Sequence, residues 1–420
     1  MAEFLGKEEK FKAYRLSEVI EAAAKERMGA EEYKRLQPVE RRTVLQDQGN
    51  MLRDGNASAI ADGIIARIQG ECDETQDIVV ETTRNPAEIL AFREAFSSSC
   101  YVLALNAPMT ERFERKKQDY GDDLEQFKGD DARDKGEHEP PHGQRVEECV
   151  YLADISINNH EHLISKRDWD GFFTKIRDYL ELMREPACRP PTYEELYMRQ
   201  AYAISFKSSC TKRQVGAVLV SEIELEPHRR GGATADPRRE SDKRESYVVA
   251  TGFNDVPVGD LVCREQGPRG DTRFCPKDYE EEQKLRAMKY CPHCGAELVV
   301  PTGKVTSYRC LNCQTRLPRD FVPGRMLDTC RAVHAEEGAI LQAAKLGSTA
   351  LRGATLYSTT FPCLLCARSI INAGIERVVY NEPYPMDDTV DILQRCGVEL
   401  DKYEGVNARA FDRMFKAILD

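Results

Sequence analysis

Hydrophobic and polar positions alternate along this chain in two periods, and the clearest stretch lies in its last third. From Val333 to Lys345, Ile340, Leu341 and Ala344 fall on one stripe, which predicts an amphipathic helix. Ala354 to Ser358 reads as a strand, Leu364 to Ala373 as a helix with Pro362 at a first-turn position before it, and Arg377 to Tyr380 as a further strand. Upstream, Glu185, Pro186, Arg189, Pro190 and Pro191 make a break. Thr192 and Glu195 then form a capping box that opens a helix through Ser208, followed by strands Gln214 to Val220 and Tyr247 to Gly252. This order of elements predicts an α/β three-layer sandwich for the C-terminal half.

Chemistry enters where these elements begin. His334 and Glu336 stand at the start of one helix, and Cys363 and Cys366 at the start of the next. Three ligands of the His-Cys-Cys kind leave a fourth tetrahedral position open, as a catalytic rather than a structural zinc requires. The positive ends of two helices favour thiolates and negative charge there. Zinc lowers the pKa of bound water to about 7, and Glu336, two residues from His334, is a candidate for general acid-base work. A second set, Cys291 and Cys294 followed by Cys310 and Cys313, makes two Cys-x-x-Cys knuckles around a short hairpin. Four thiolates close the coordination sphere, so a structural zinc ribbon inserted at about 286–318 is expected, with His293 a knuckle residue rather than a ligand. Cys263, Cys275 and Cys330 read as buried thiols or as part of a further metal site.

Composition narrows the setting. A chain of 420 residues is too long for one ordinary domain. It has no apolar run long enough to span a bilayer, and its first dozen residues are already charged and mixed, unlike a signal segment. Six of its fifteen cysteines fall in metal-type motifs, so a reducing cytoplasm is the simpler setting. The net charge of -11 argues against a general nucleic-acid binder. The polar stretch Glu222 to Ser246 carries Arg229, Arg230, Arg238, Arg239, Lys243 and Arg244, which reads as a solvated connection or as a holder of a substrate phosphate.

The His-x-Glu and Pro-Cys-x-x-Cys pair resembles the signature of the zinc-dependent nucleobase and nucleotide deaminases. Residues 192 to 400 as a whole look like a deoxycytidylate deaminase. Val215 to Val218, Gly252 to Pro257, the two metal motifs, and Val378 to Tyr380 with Tyr384 behind them carry that likeness. The resemblance implies a deoxycytidine nucleotide as substrate, Asn254 at the sugar, the backbone of Ala335 at the base, and Tyr384 near the substrate. Arg213, with Lys212, is available for phosphate. One departure is Glu337 followed by Gly338, where the family often has an Asn after one intervening residue.

Residues 11 to 180 resemble instead the body of a P-loop nucleotide kinase such as dephospho-CoA kinase. The matching pieces are a helix after Arg15, Leu16 and Ser17, strands Asp77 to Glu81 and Cys100 to Asn106, Arg84, Asn85 and Pro86, a lid-like stretch Glu111 to Arg145, and Ala153 to Ile155 with Asn158. No Gly-x-x-x-x-Gly-Lys-Ser/Thr occurs in the chain. Met1 to Leu5 reads like the helix that would follow such a loop, so this part is either a degenerate, regulatory or oligomerising module or one whose start is recorded too late.

The expected organisation is therefore a kinase-like domain lacking the Walker A loop at 1–185 and an α/β/α deaminase-like sandwich at 190–420. That combination looks like the bacterial anti-phage dCTP deaminases. It implies one catalytic and one structural Zn2+, conversion of dCTP or dCMP to the uracil nucleotide, a homo-oligomer, no membrane, and control by a nucleotide, RNA or protein the sequence does not name. A dCMP deaminase serving thymidylate synthesis, or a cytidine deaminase of tRNA or single-stranded DNA, are the alternatives.

Overall fold

A computed structural model describes residues 2–73, 75–136, 139–140, 142–159, 166–224, 244–265, 274–299, 308–317, 330–348, 351–382 and 387–416. Two compact units emerge: residues 1–195 joined by 404–420, and residues 196–403.

The first unit opens with α1 (Ala2–Glu8), β1 (Lys12–Arg15) and a helical stretch α2 (Leu16–Met28), α3 (Ala30–Arg35), α4 (Pro38–Arg53) and α5 (Ala59–Glu71), which returns the chain to β2 (Ile78–Glu81). β2 runs parallel to β1, with Tyr14 opposite Val80. Next come α6 (Pro86–Phe96), β3 (Leu103–Asn106), α7 (Met109–Tyr120), α8 (Leu124–Lys135), α9 (Val146–Tyr151), β4 (Ile155–Asn158) and α10 (Lys166–Arg184). β3 and β4 are also parallel, and parallel pairs with helical crossovers are the signature of α/β architecture. Asn85 and Glu88 form a reciprocal capping box at the start of α6, with Pro86 at its first position.

The second unit contains most of α11 (Tyr193–Ser205), then β5 (Gly216–Glu224), β6 (Arg244–Phe253), α12 (Pro276–Ala287), the short pair β7 (Tyr308–Arg309) and β8 (Arg316–Leu317), α13 (Ala335–Lys345), β9 (Thr355–Thr360), α14 (Leu364–Ala373), β10 (Arg377–Glu382), α15 (Asp387–Arg395) and β11 (Glu399–Lys402). Its five-stranded sheet has the order β11-β10-β9-β5-β6. β9, β10 and β11 are parallel, and β5 is antiparallel to both of its neighbours. Alternation along the strands divides the core. Ala217, Leu219, Leu356 and Val378 pack with Ala335, Ala339, Ala367, Ile370 and Leu393 of α13 to α15. Val218, Val220, Tyr357 and Val379 pack with Tyr197, Met198 and Ala201 of α11. These are helices on both faces of a mixed sheet, the three layers expected from the sequence.

Boundaries differ from the expectation in two places. The helix from Thr192 stops at Ser205, three residues early. More important, the chain end does not stay with the second unit: β12 (Gly405–Val406) pairs antiparallel with β4, and α16 (Phe411–Phe415) follows it. Val406, Ala410 and Met414 are buried with Ile155, Ile157 and Ile176, while Asn407 donates through Nδ2 to the Ala153 carbonyl at 3.0 Å. A two-residue strand has no periodicity of its own to read, so a boundary drawn at 190–420 missed it.

Candidate active site

The second unit brings the metal-type residues together at two helix starts. His334 is the N-cap of α13 and Cys363 the N-cap of α14, both in extended conformation. Pro362 therefore precedes the cap instead of occupying the first turn, and Cys366 lies within that turn. The Sγ atoms of Cys363 and Cys366 each lie 3.3 Å from His334 Nδ1, and the three donors are all within 4.8 Å of one another. A tetrahedral zinc with Zn–S near 2.3 Å and Zn–N near 2.0–2.1 Å has ligand edges of roughly 3.5–3.8 Å. The triad fits that ion with a small outward adjustment, and three donors leave one position open.

Charge on the ligands suits a cation. Cys363 is pulled down to about 4, by Cys366 first and by His334 as well. Cys366 is held well above the ordinary thiol range by Cys363 and by burial. The pair thus releases one proton readily and the second only with help. A bound cation supplies that help, because a coordinating thiol is deprotonated outright.

Glu336 sits in the first turn of α13 and is 4 % exposed. Its Oε1 accepts from Ser358 Oγ at 3.3 Å, and its Oε2 lies 3.5 Å from Cys366 Sγ. Burial pushes its carboxyl above the ordinary range, which suits a group that must both take and give a proton. Ser358 was not among the residues singled out from sequence. Its signal was present: Leu356 faces α13 and α14, and period two places Ser358 on the same side.

Close backbone approach fixes the site. A Cβ on Gly252 of β6 would lie 2.1 Å from the Ala335 carbonyl oxygen and 2.3 Å from the Ala339 nitrogen. Only glycine lets the strand lie against the first turns of α13. Gly338, the departure noted above, faces this contact, its own Cβ position being 3.7 Å from Gly252 Cα. Ala335 is fully buried there.

The expected substrate contacts are placed less simply. Asn254 spends its side chain on the 213–215 segment, accepting from Val215 N at 2.7 Å and donating to the Arg213 carbonyl at 2.9 Å. Arg213 donates to Glu382 Oε2 from Nη2 at 2.7 Å and from Nε at 3.1 Å. Tyr202 and Thr360 share the same carboxylate, and Lys212 pairs with Asp278. Tyr384, and the arginine-rich stretch apart from Arg244, lie outside the described residues.

The second cysteine set has its own geometry. Cys291 and Cys313 sulfurs are 3.7 Å apart, and Cys294 and Cys310 3.6 Å, close to the roughly 3.8 Å edge of a four-thiolate zinc. The two knuckles repeat one backbone turn: Gly295 N donates to the Cys291 carbonyl and Gln314 N to the Cys310 carbonyl, each at 2.8 Å. Gly295 and Gln314 both take positive φ, 71° and 61°. Around them Leu285, Leu298 and Leu317 form a small core. All four donors lie within 4.8 Å of one another, and His293 is not of the group. Cys263 is buried and its thiol is pushed up to about 11 by burial, with Cys210, Cys330 and Cys275 nearby. Among the described residues no three of these four sulfurs lie within 4.8 Å of one another, as the two sets above do.

Residues 243–382 match the family model for the cytidine and deoxycytidylate deaminase zinc-binding region. ComE operon protein 2 of Bacillus subtilis is 40% identical over 214 residues, covering 51% of this chain and 72% of that protein. The deoxycytidylate deaminase of Schizosaccharomyces pombe is 28% identical over 259 residues, 60% of this chain and 54% of that one. That of Saccharomyces cerevisiae is 26% identical over 230 residues, 54% and 50% respectively. The chain belongs to the cytidine and deoxycytidylate deaminase family. It spans about half the length of the two yeast relatives. Among the described residues no helix is long and apolar enough to cross a membrane.

Proposed function

We propose that this chain is a zinc-dependent hydrolytic deaminase of deoxycytidine nucleotides, converting dCMP or dCTP to the uracil nucleotide with release of ammonia. The observation that carries the reading is the buried Glu336 carboxyl, held by Ser358 against a three-donor His-Cys-Cys set. When bound, zinc supplies a Lewis acid that makes water a nucleophile at neutral pH. Glu336 takes one proton of the attacking water on a carboxylate oxygen and delivers it to the ring nitrogen beside the attacked carbon, then carries the second, from the hydroxyl now on that carbon, to the departing amine as the carbonyl forms. The helix N-termini at His334 and Cys363 stabilise the negative charge this requires. Cys291, Cys294, Cys310 and Cys313 would hold a second, structural zinc in a ribbon, four thiolates leaving no open position.

The names of the yeast relatives favour dCMP over a nucleic-acid substrate, and so does the net charge of -11. The resemblance of the N-terminal part to a nucleotide kinase favours a regulated enzyme that depletes deoxycytidine nucleotides in cytoplasmic defence against phage, acting as a homo-oligomer. Supply of thymidylate precursors is the second reading, favoured by the same yeast names. Activity that is constant with and without infection supports the second; activity that rises on infection supports the first.

A further inference from the structure

Glu382 ends β10, and four side-chain hydrogen bonds converge on its carboxylate. Tyr202 Oη donates to Oε1 at 3.1 Å. Thr360 Oγ1 donates to Oε2 at 3.4 Å, and Arg213 donates to the same oxygen from Nε at 3.1 Å and Nη2 at 2.7 Å. The Glu382 side chain is 15% exposed and that of Arg213 42%. The carboxylate, held by two hydroxyls, is therefore the fixed member of the pair, and the guanidinium is the member open to a ligand. A guanidinium has five N–H donors in a rigid fork. Glu382 takes one on Nε and one on Nη2, while Nη1 and the second N–H of Nη2 meet no acceptor among the described residues. That end of the fork is the one that can meet two phosphate oxygens at once.

Both metal motifs bracket this arginine. Thr360 lies opposite Glu382 in the parallel pair of β9 and β10, Phe361 N donates to the Glu382 carbonyl at 2.9 Å, and Cys363 follows two residues on. On the other side Asn254 holds residues 213 and 215, and Asp255, next in the chain, bridges to Val333, the neighbour of His334. Thr360 and Glu382 end their strands, and open α/β sheets take ligands outside the carboxyl ends of their strands. Arg213 thus stands at the end of the sheet where both metal helices begin.

We propose that Glu382 is a positioning residue for the substrate phosphate: it aims the Nη1 and Nη2 end of Arg213 at that group and so makes the enzyme prefer a nucleotide to its nucleoside. The proposal rests on the reading of a deoxycytidine nucleotide as substrate. The test measures kcat and KM for dCMP and for deoxycytidine with the full zinc-loaded chain, as wild type, Glu382→Gln, Arg213→Gln and the double variant. The ratio of the two kcat/KM values does not depend on how much of a preparation is folded. In Glu382→Gln it should fall by about tenfold or more, as loss of a hydrogen bond to a charged group does, chiefly through a higher KM for dCMP. The double variant should fall no further than Arg213→Gln alone, because residues that act through one another are not additive. Calorimetric titration of dUMP and deoxyuridine into the same four proteins repeats the comparison without turnover. A wild type that deaminates neither substrate would remove the deaminase reading, and the ratio of affinities would then decide on Glu382 by the same criteria. A preference in Glu382→Gln that stays within twofold of wild type, one that rises because the carboxylate had competed with phosphate for Arg213, losses that multiply in the double variant, or equal wild-type affinity for dUMP and deoxyuridine would overturn the proposal.

Discussion

Gly252 lies so close to Ala335 that a single added methyl group would sit 2.1 Å from the Ala335 carbonyl oxygen. The strand that frames the site and the helix that carries His334 and Glu336 are thereby locked in register, backbone against backbone. Neither side can swing away as a flexible side chain could. Gly252→Ala is expected to cost about 3 kcal/mol or more, at or beyond the upper end of ordinary overpacking, and to lower zinc retention and activity together. Chemical denaturation paired with metal analysis reads both. Wild-type stability in this variant would mean that the contact is looser than the geometry states.

Glu336 and His334 should separate cleanly. Glu336→Gln keeps the shape and hydrogen-bonding reach of the side chain but cannot carry a proton, so turnover is expected to fall by ~10²- to 10⁴-fold with zinc content unchanged. His334→Ala removes a ligand and should lose the metal at that site along with activity. Comparable turnover in Glu336→Gln and wild type would remove the proton-carrying role.

Two donor sets predict about two zincs per chain, one from each ligand count. Cys291→Ser and Cys310→Ser are each expected to lower that count to about one and to reduce stability and solubility. Zinc at His334, Cys363 and Cys366 should remain. A count that stays at two in both variants would show that the knuckles hold no metal.

The parts of this architecture that were legible in sequence are those fixed by neighbours along the chain. The Thr192 and Glu195 capping box forms as read, with Thr192 N on Glu195 Oε2 at 2.8 Å and Glu195 N on Thr192 Oγ1 at 3.2 Å. The meeting of His334, Cys363 and Cys366 beside Glu336 was legible because metal-type donors recur there at fixed spacing on helix starts. The fit of Gly252 against α13 and the return of Val406 to β4 were not, because each is set by a partner distant in sequence, and for Ser358 alternation gives the face but not the Glu336 partner. The engagement of Asn254 with residues 213 and 215 belongs to the same class, since its amide could equally have faced a ligand.

Lys402 gives a pH-dependent prediction. It is buried beside Tyr380, its Nζ 5.8 Å from the ring centroid, and burial lowers its pKa to about 8 from the ordinary 10.5. Between those values the unfolded chain binds the proton that the folded state has released, so this residue makes stability rise with pH across that window. Lys402→Met is expected to stabilise the protein at pH 7 by on the order of 1–3 kcal/mol, with the gain shrinking toward pH 10. Urea unfolding of both proteins across this range measures it; a methionine variant that is less stable at neutral pH would contradict the burial argument.

Substrate turnover tests the central claim most directly. The purified protein is offered cytidine, deoxycytidine, CMP, dCMP, CTP, dCTP and a cytosine-containing single-stranded oligonucleotide in parallel, and the uracil products are quantified by mass spectrometry. The account predicts rapid formation of dUMP or dUTP, with free deoxycytidine a much poorer substrate because it lacks the phosphate for a charge-assisted contact. No deamination of any deoxycytidine nucleotide by zinc-loaded protein, or preference for the oligonucleotide over every free nucleotide, would contradict it.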